Sequence, residues 1–144
     1  MNRMRLGICL LLFALVTSCT AQKQEETLTI QIRTTKSTNR GTPLYMIVKE
    51  ATMAEYLLDD YHEIATQSFW KESEEKHLVK KVIIPGKTNK IVIDVPKKEG
   101  SMGLYFIFSN PGECWKYMID QPQSKRVKVL LGEDQYEAIN VYDG

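Results

Sequence analysis

Three cysteines in 144 residues, two of them among the first nineteen, cannot supply a disulfide scaffold, so the fold must rest on its core. Cys114, the third, sits beside Trp115 after a Pro-Gly pair with no His or Asn motif for company, and reads as a half-buried structural thiol. Histidine is as scarce: His62 and His77 are far apart and lack cysteines or carboxylates at ligand spacing, so no metal site is expected. No charge sign dominates. The chain has 19 Lys and Arg against 18 Asp and Glu, interspersed most visibly between Lys71 and Lys81, and nothing in that balance suggests the basic face that nucleic acid needs. Missing too are the nucleophile elbow, the zinc-protease helix and the calcium loop. Lys36 to Gly41 lacks the spacing of a phosphate-binding loop, and the adjacent Asp59 and Asp60 would point about 100° apart on a helix. The sequence therefore argues against an enzyme, a cofactor or a small-molecule substrate.

No apolar run reaches the ~20 residues that cross a bilayer. The one from Leu6 to Val16 is instead the centre of an export signal, with Arg3 and Arg5 before it and Val16-Thr17-Ser18-Cys19 after it. That last tetrad is a lipobox, in which cysteine becomes the first residue after cleavage and its thiol takes a diacylglyceryl group. The expected organisation is a signal over residues 1–18, a lipidated tether over 19–26 and one domain over 27–144, with lipid attachment at Cys19. Two or three acyl chains suffice for stable anchoring. Thr20, where Asp would favour the inner membrane in enteric-type bacteria, favours the periplasmic face of the outer membrane. Arg3 and Arg5 leave with the signal, so the mature chain has 17 basic against 18 acidic side chains, a net charge of −1.

Within the domain, period-two alternation marks Leu28, Ile30 and Ile32 as a half-buried strand. Thr34 to Thr42 has no large apolar residue and reads as an exposed loop. Leu44 to Val48, apolar on both faces, is a more buried strand. Met53, Leu57, Tyr61, Ile64 and Ala65 recur at helical spacing, predicting one amphipathic helix whose apolar stripe packs against a sheet edge. Gln67 to Lys76 reads as a polar connection pinned by Phe69 and Trp70. Short strands follow at His77 to Ile84, Lys90 to Val95, Met102 to Ser109, Trp115 to Ile119, Val127 to Leu131 and Tyr136 to Tyr142. Asn110-Pro111-Gly112-Glu113 reads as a tight hairpin turn. The expected fold is mainly β: a sandwich of seven or eight strands with one inserted helix.

In order along the chain, Cys19, the strand Leu28 to Arg33, Asn39-Arg40-Gly41, Pro43-Leu44-Tyr45-Met46-Ile47-Val48, the acidic helix Met53 to Ala65, Ile84-Pro85-Gly86, Gly103 to Phe108 with Asn110-Pro111-Gly112, and Trp115-Lys116 resemble the outer-membrane lipoprotein of type VI secretion systems, the TssJ family. Lys116 stands where Arg is common and the second strand does not end in Tyr-Gln-Leu, departures that suit a divergent branch such as those in Francisella-like pathogenicity islands. The resemblance implies a transthyretin-like β-sandwich that binds the periplasmic C-terminal part of the inner-membrane protein TssM. It also implies that the contact is made by the loop between the first two strands, here Thr35, Lys36, Ser37, Thr38, Asn39, Arg40 and Gly41. Charge reversal at Arg40 with deletion of Ser37 to Asn39 is then expected to weaken binding without unfolding the domain. The competing reading is a periplasmic binding lipoprotein, such as an inhibitor of cell-wall hydrolases or a carbohydrate binder with Trp70 or Trp115 as platform. A lipid-anchored hydrolase is disfavoured by the missing catalytic residues.

Overall fold

The structure, a computed structural model, describes residues 26–70, 79–95 and 100–144, with the backbone alone for 67–70. The export signal, the lipobox with Cys19 and the tether up to residue 25 lie outside the described residues, as do His77 and the charged stretch beyond Trp70.

Eight strands form two four-stranded sheets. In chain order they are β1 (Thr27–Arg33), β2 (Leu44–Glu50), β3 (Val79–Ile83), β4 (Asn89–Asp94), β5 (Ser101–Ile107), β6 (Lys116–Asp120), β7 (Lys125–Leu131) and β8 (Tyr136–Asp143). The first sheet has the order β4-β1-β7-β8 and the second β3-β2-β5-β6. All neighbours are antiparallel except β1 and β7, which run parallel with Ile30 opposite Val127. Between the sheets lies the main core. Leu28, Ile30, Ile32, Val127 and Val129 from the first sheet meet Met46, Val48, Leu104 and Phe106 from the second, all at most 1% exposed.

β2 and β5 are apolar on both faces because each has a second partner. Their outward residues Ile47, Tyr105 and Ile107 join Ile64, Tyr56, Tyr61, Ala65 and Trp115 in a smaller core under the helical segment. That segment corrects the sequence reading in three ways. It is two helices, α1 (Met53–Leu58) and α2 (Tyr61–Trp70), broken where Asp59 takes an extended conformation (ψ 113°) and the Asp60 carboxylate accepts the His62 and Glu63 amides. It covers the middle of the second sheet rather than an edge. The break also rotates α1, so Tyr56 faces the sheet while Met53 and Leu57 point to solvent, 59% and 68% exposed. Gln67 to Trp70, expected in a connection, continue α2 as backbone.

The Asn110-Pro111-Gly112-Glu113 segment joins β5 to its antiparallel hairpin partner β6, as expected, but as a longer loop and not a tight turn. The Gly112 amide donates to the Asp134 carbonyl at 2.8 Å and the Tyr136 amide to the Cys114 carbonyl at 2.9 Å, so the segment is tied to the β7–β8 turn. Cys114 is a free, half-buried thiol.

Candidate functional site

Strand direction gives the sandwich two ends. The near end holds the start of β1, hence the junction with the N-terminal tether, together with the ends of β2, β4 and β8. The far end gathers residues 34–42, the Pro85-Gly86 turn, residues 108–113 and the β7–β8 turn.

Residues 34–42 are the hub of the far end. The Thr38 hydroxyl donates to the Leu131 carbonyl at 2.9 Å and accepts the Thr35 amide at 2.9 Å. The Asn39 side-chain amide donates to the carbonyls of Thr42 (2.9 Å) and Pro43 (3.2 Å), while its oxygen accepts the Ser109 amide at 2.9 Å. Gly86 and Asn39 add backbone bonds to the Thr35 and Gly132 carbonyls. Thr38 and Asn39 are 0% and 3% exposed, so the loop is not exposed throughout. These two residues fasten it, and deleting Ser37 to Asn39 would remove the fastening. Such a deletion therefore destabilises the far end, contrary to the expectation that the domain stays folded without these residues. Thr35, Lys36, Ser37, Arg40 and Gly41 remain outside.

The backbone there is left-handed over three residues, with φ of 48° at Asn39, 54° at Arg40 and 77° at Gly41. Glycine adopts this region freely; for the other two it costs roughly 1–2 kcal/mol each. Asn39 offsets that with its three part-buried side-chain hydrogen bonds. Arg40 has no such compensation: its guanidinium is held 3.3 Å from Glu133 with both side chains more than 60% exposed, a pair worth at most about 1 kcal/mol. An exposed cation on strained, locked backbone is the kind of outlier that marks recognition elements.

The helical face is the second candidate. Asp59 is bonded by the Lys49 ammonium at 3.1 Å and by the Tyr105 hydroxyl, in a half-shielded position. The Tyr105 phenol is pushed far above its usual range, by burial first and by the Asp59 carboxylate second. Lys116 donates to the carbonyls of Tyr56 (2.6 Å) and Asp59 (2.9 Å), a cation at the C-terminal end of α1, and lies over the Tyr56 ring at 4.7 Å. Trp115 packs edge-on to Tyr61, with ring centroids 5.1 Å apart, and the Tyr61 hydroxyl donates to the Phe108 carbonyl. Asp59, Lys116 and Trp115 therefore hold the helices to the sheet. The paired aspartates became a salt-bridge anchor and a helix cap. Among the described residues no three His, Cys, Asp or Glu side chains cluster as metal ligands, and no described helix is long and apolar enough to cross a membrane.

From β2 to the end of β7 the chain matches a family model described as IglE, N-terminal domain, over residues 45–131. The chain belongs to the IglE family. The matched span contains both helices and the second sheet; it stops short of the left-handed turn and of β8. The fold of this IglE-family chain is that of TssJ lipoproteins, a transthyretin-like β-sandwich. The T6SS lipoprotein TssJ1 from Pseudomonas aeruginosa superposes with a TM-score of 0.66 at 14% identity, over 83% of this chain and 98% of that one. Serratia marcescens Lip, described as a membrane-bound component of the type VI secretion system, gives 0.63 at 13% identity over 83% and 98%. A chain of the structure described as the T6SS protein TssM C-terminal domain (869–1107) from EAEC gives 0.65 at 11% identity over 80% and 98%. No curated protein matches the sequence significantly.

Proposed function

We propose that the protein is a lipid-anchored structural component of a type VI secretion membrane complex. Cys19 carries the acyl chains, and the domain ties to the outer membrane a TssM-like inner-membrane protein whose periplasmic C-terminal part docks on the far-end turn. The observation that carries this reading is Arg40, exposed on left-handed backbone that Thr38 and Asn39 lock, at the end of the sandwich opposite the tether junction. A rigid turn at that end extends away from a membrane holding Cys19, and an arginine so presented is a common interface anchor. Family membership and the fold shared with the TssJ lipoproteins support the secretion context. The carbohydrate-binder alternative loses its Trp115 platform, which is packed against Tyr61 and Tyr105; the Trp70 side chain lies outside the described residues.

The test is a pull-down from membranes with the wild-type chain and Cys19→Ser. Recovery of a large inner-membrane protein by both, with Cys19→Ser absent from the outer-membrane fraction, is the expected result. Recovery of a soluble ligand or a cell-wall enzyme in its place would overturn the proposal.

A further inference from the structure

Charge at the far end of the sandwich is sorted by strand. The segments that meet there are residues 33–43, 84–90, 108–113 and 131–137. The first two contain Arg33, Lys36, Arg40, Lys87 and Lys90 and no Asp or Glu; the last two contain Glu113, Glu133, Asp134 and Glu137 and no Lys or Arg. In the first sheet β4 and β1 lie towards one edge and β7 and β8 towards the other, so this division along the chain becomes a division in space. The basic half is held together by the Gly86 amide on the Thr35 carbonyl (3.0 Å) and the Thr34 hydroxyl on the Lys87 carbonyl (2.7 Å), with the Lys36 side chain beside Gly86. Lys90 stands opposite Gln31 and hence diagonally across from Arg33, a separation of ~7–8 Å. The acidic half is held by the Gly112 amide on the Asp134 carbonyl, with the Glu137 side chain beside Gly132. Between the halves stands the left-handed turn, where Arg40 and Glu133 pair at 3.3 Å. Arg33, Lys36, Lys87 and Lys90 are exposed and have no ion-pair partner among the described residues.

We propose that the partner element docked at the far end is an acidic protein segment, which runs from the left-handed turn towards the β3–β4 turn and seats its carboxylates on Lys36, Lys87, Lys90 and Arg33. This rests on the far end being the docking site, and adds to that reading the partner's chemistry and the side on which it lies. Four like charges on neighbouring strands and turns repel one another in the free chain, and an anionic segment relieves that repulsion as it binds. The other half excludes the same segment, because its carboxylates would lie against Glu113, Asp134 and Glu137. Attraction on one side and repulsion on the other set the direction of docking, which Arg40, a single cation at the boundary, does not. Ile84, 44% exposed just ahead of Pro85-Gly86, offers an apolar contact at the same turn. The far end is opposite the tether junction, which favours a protein over a lipid surface as the occupant.

The test is calorimetric titration of the full chain in detergent with the periplasmic C-terminal part of the TssM-like protein, at low and at high salt. Lys87→Glu with Lys90→Glu should weaken binding about tenfold at low salt and by less at high salt. Glu113→Lys with Glu137→Lys should leave the affinity unchanged or raise it. These side chains are exposed, and thermal unfolding of both variants at the wild-type midpoint verifies that the fold is kept. If Arg40→Glu weakens binding and the lysine reversal does not, as when the cations meet lipid headgroups instead, the acidic segment is overturned and the docking site stands. Equal weakening by the lysine and the glutamate reversals would also overturn the acidic segment. No binding by the wild type would remove the docking site and this inference with it.

Discussion

At Asn39 a side chain and a backbone conformation depend on each other. Its carboxamide makes three part-buried hydrogen bonds, which together with the backbone bond from Asn39 to the Gly132 carbonyl hold φ at 48°. Asn39→Ala leaves the Ser109 amide without its acceptor and should cost about 2–3 kcal/mol of unfolding free energy in urea. Arg40→Glu, one residue on, breaks only an exposed pair and should change stability by no more than about 1 kcal/mol. Equal losses would mean that the turn is not fastened as described. The sequence marked residues 34–42 as polar, which is correct, and as exposed, which fails for Thr38 and Asn39. Composition does not separate an asparagine that bonds to solvent from one that bonds to three backbone groups, because the partners at Pro43 and Ser109 are set by the fold.

At the scale of the element, α1 is six residues long and too short to persist alone. Its two ends hold it. Thr52 and Glu55 form a reciprocal capping box at the start, with 3.2 Å from the Glu55 amide to the Thr52 hydroxyl and 2.7 Å from the Thr52 amide to the Glu55 carboxylate. The Lys116 ammonium closes the other end. Thr52→Ala should destabilise α1 by about 1 kcal/mol. Those bonds hold the Glu55 carboxyl below its usual value of 4.5. A carboxyl lowered on folding stabilises fully above its unfolded pKa, and the contribution is lost as pH falls through the folded value. Protection of the α1 amides against exchange, taken relative to their intrinsic rates, should therefore fall as pH drops below 4.5 in the wild type, and Glu55→Gln should show little of that acid response because it has no carboxylate to protonate. An identical acid response in both would contradict the box. The capping pair Thr52-x-x-Glu55 was present in the sequence, and so was the signal for the break, since Asp60 is a good N-cap. The unbroken three- and four-residue spacing of Met53, Leu57, Tyr61 and Ile64 hid it. Only packing shows that Tyr56, not Leu57, meets Tyr105, with ring centroids 6.3 Å apart.

For the whole molecule, alternation in Leu28 to Ile32, Ile91 to Ile93 and Val127 to Leu131 was enough to indicate a sandwich, because one buried face per strand imposes period two. Doubly apolar strands such as Leu44 to Val48 announced the second core. The assignment of strands to sheets was not legible: β1 pairs with β7, about a hundred residues later, and nothing local encodes that parallel register. The same pairing gathers cations from three strands on one flank of a chain whose charges look evenly mixed. Family membership and fold then support a secretion lipoprotein, and the far-end turn supplies its proposed contact. The most direct measurement is calorimetric titration of the full chain, in detergent, with the periplasmic C-terminal part of the TssM-like protein from the same organism. Saturable binding that Arg40→Glu weakens by tenfold or more, on the order expected of an interface anchor, is the predicted result. Absence of binding by the wild type, or equal affinity for both chains, would contradict the account.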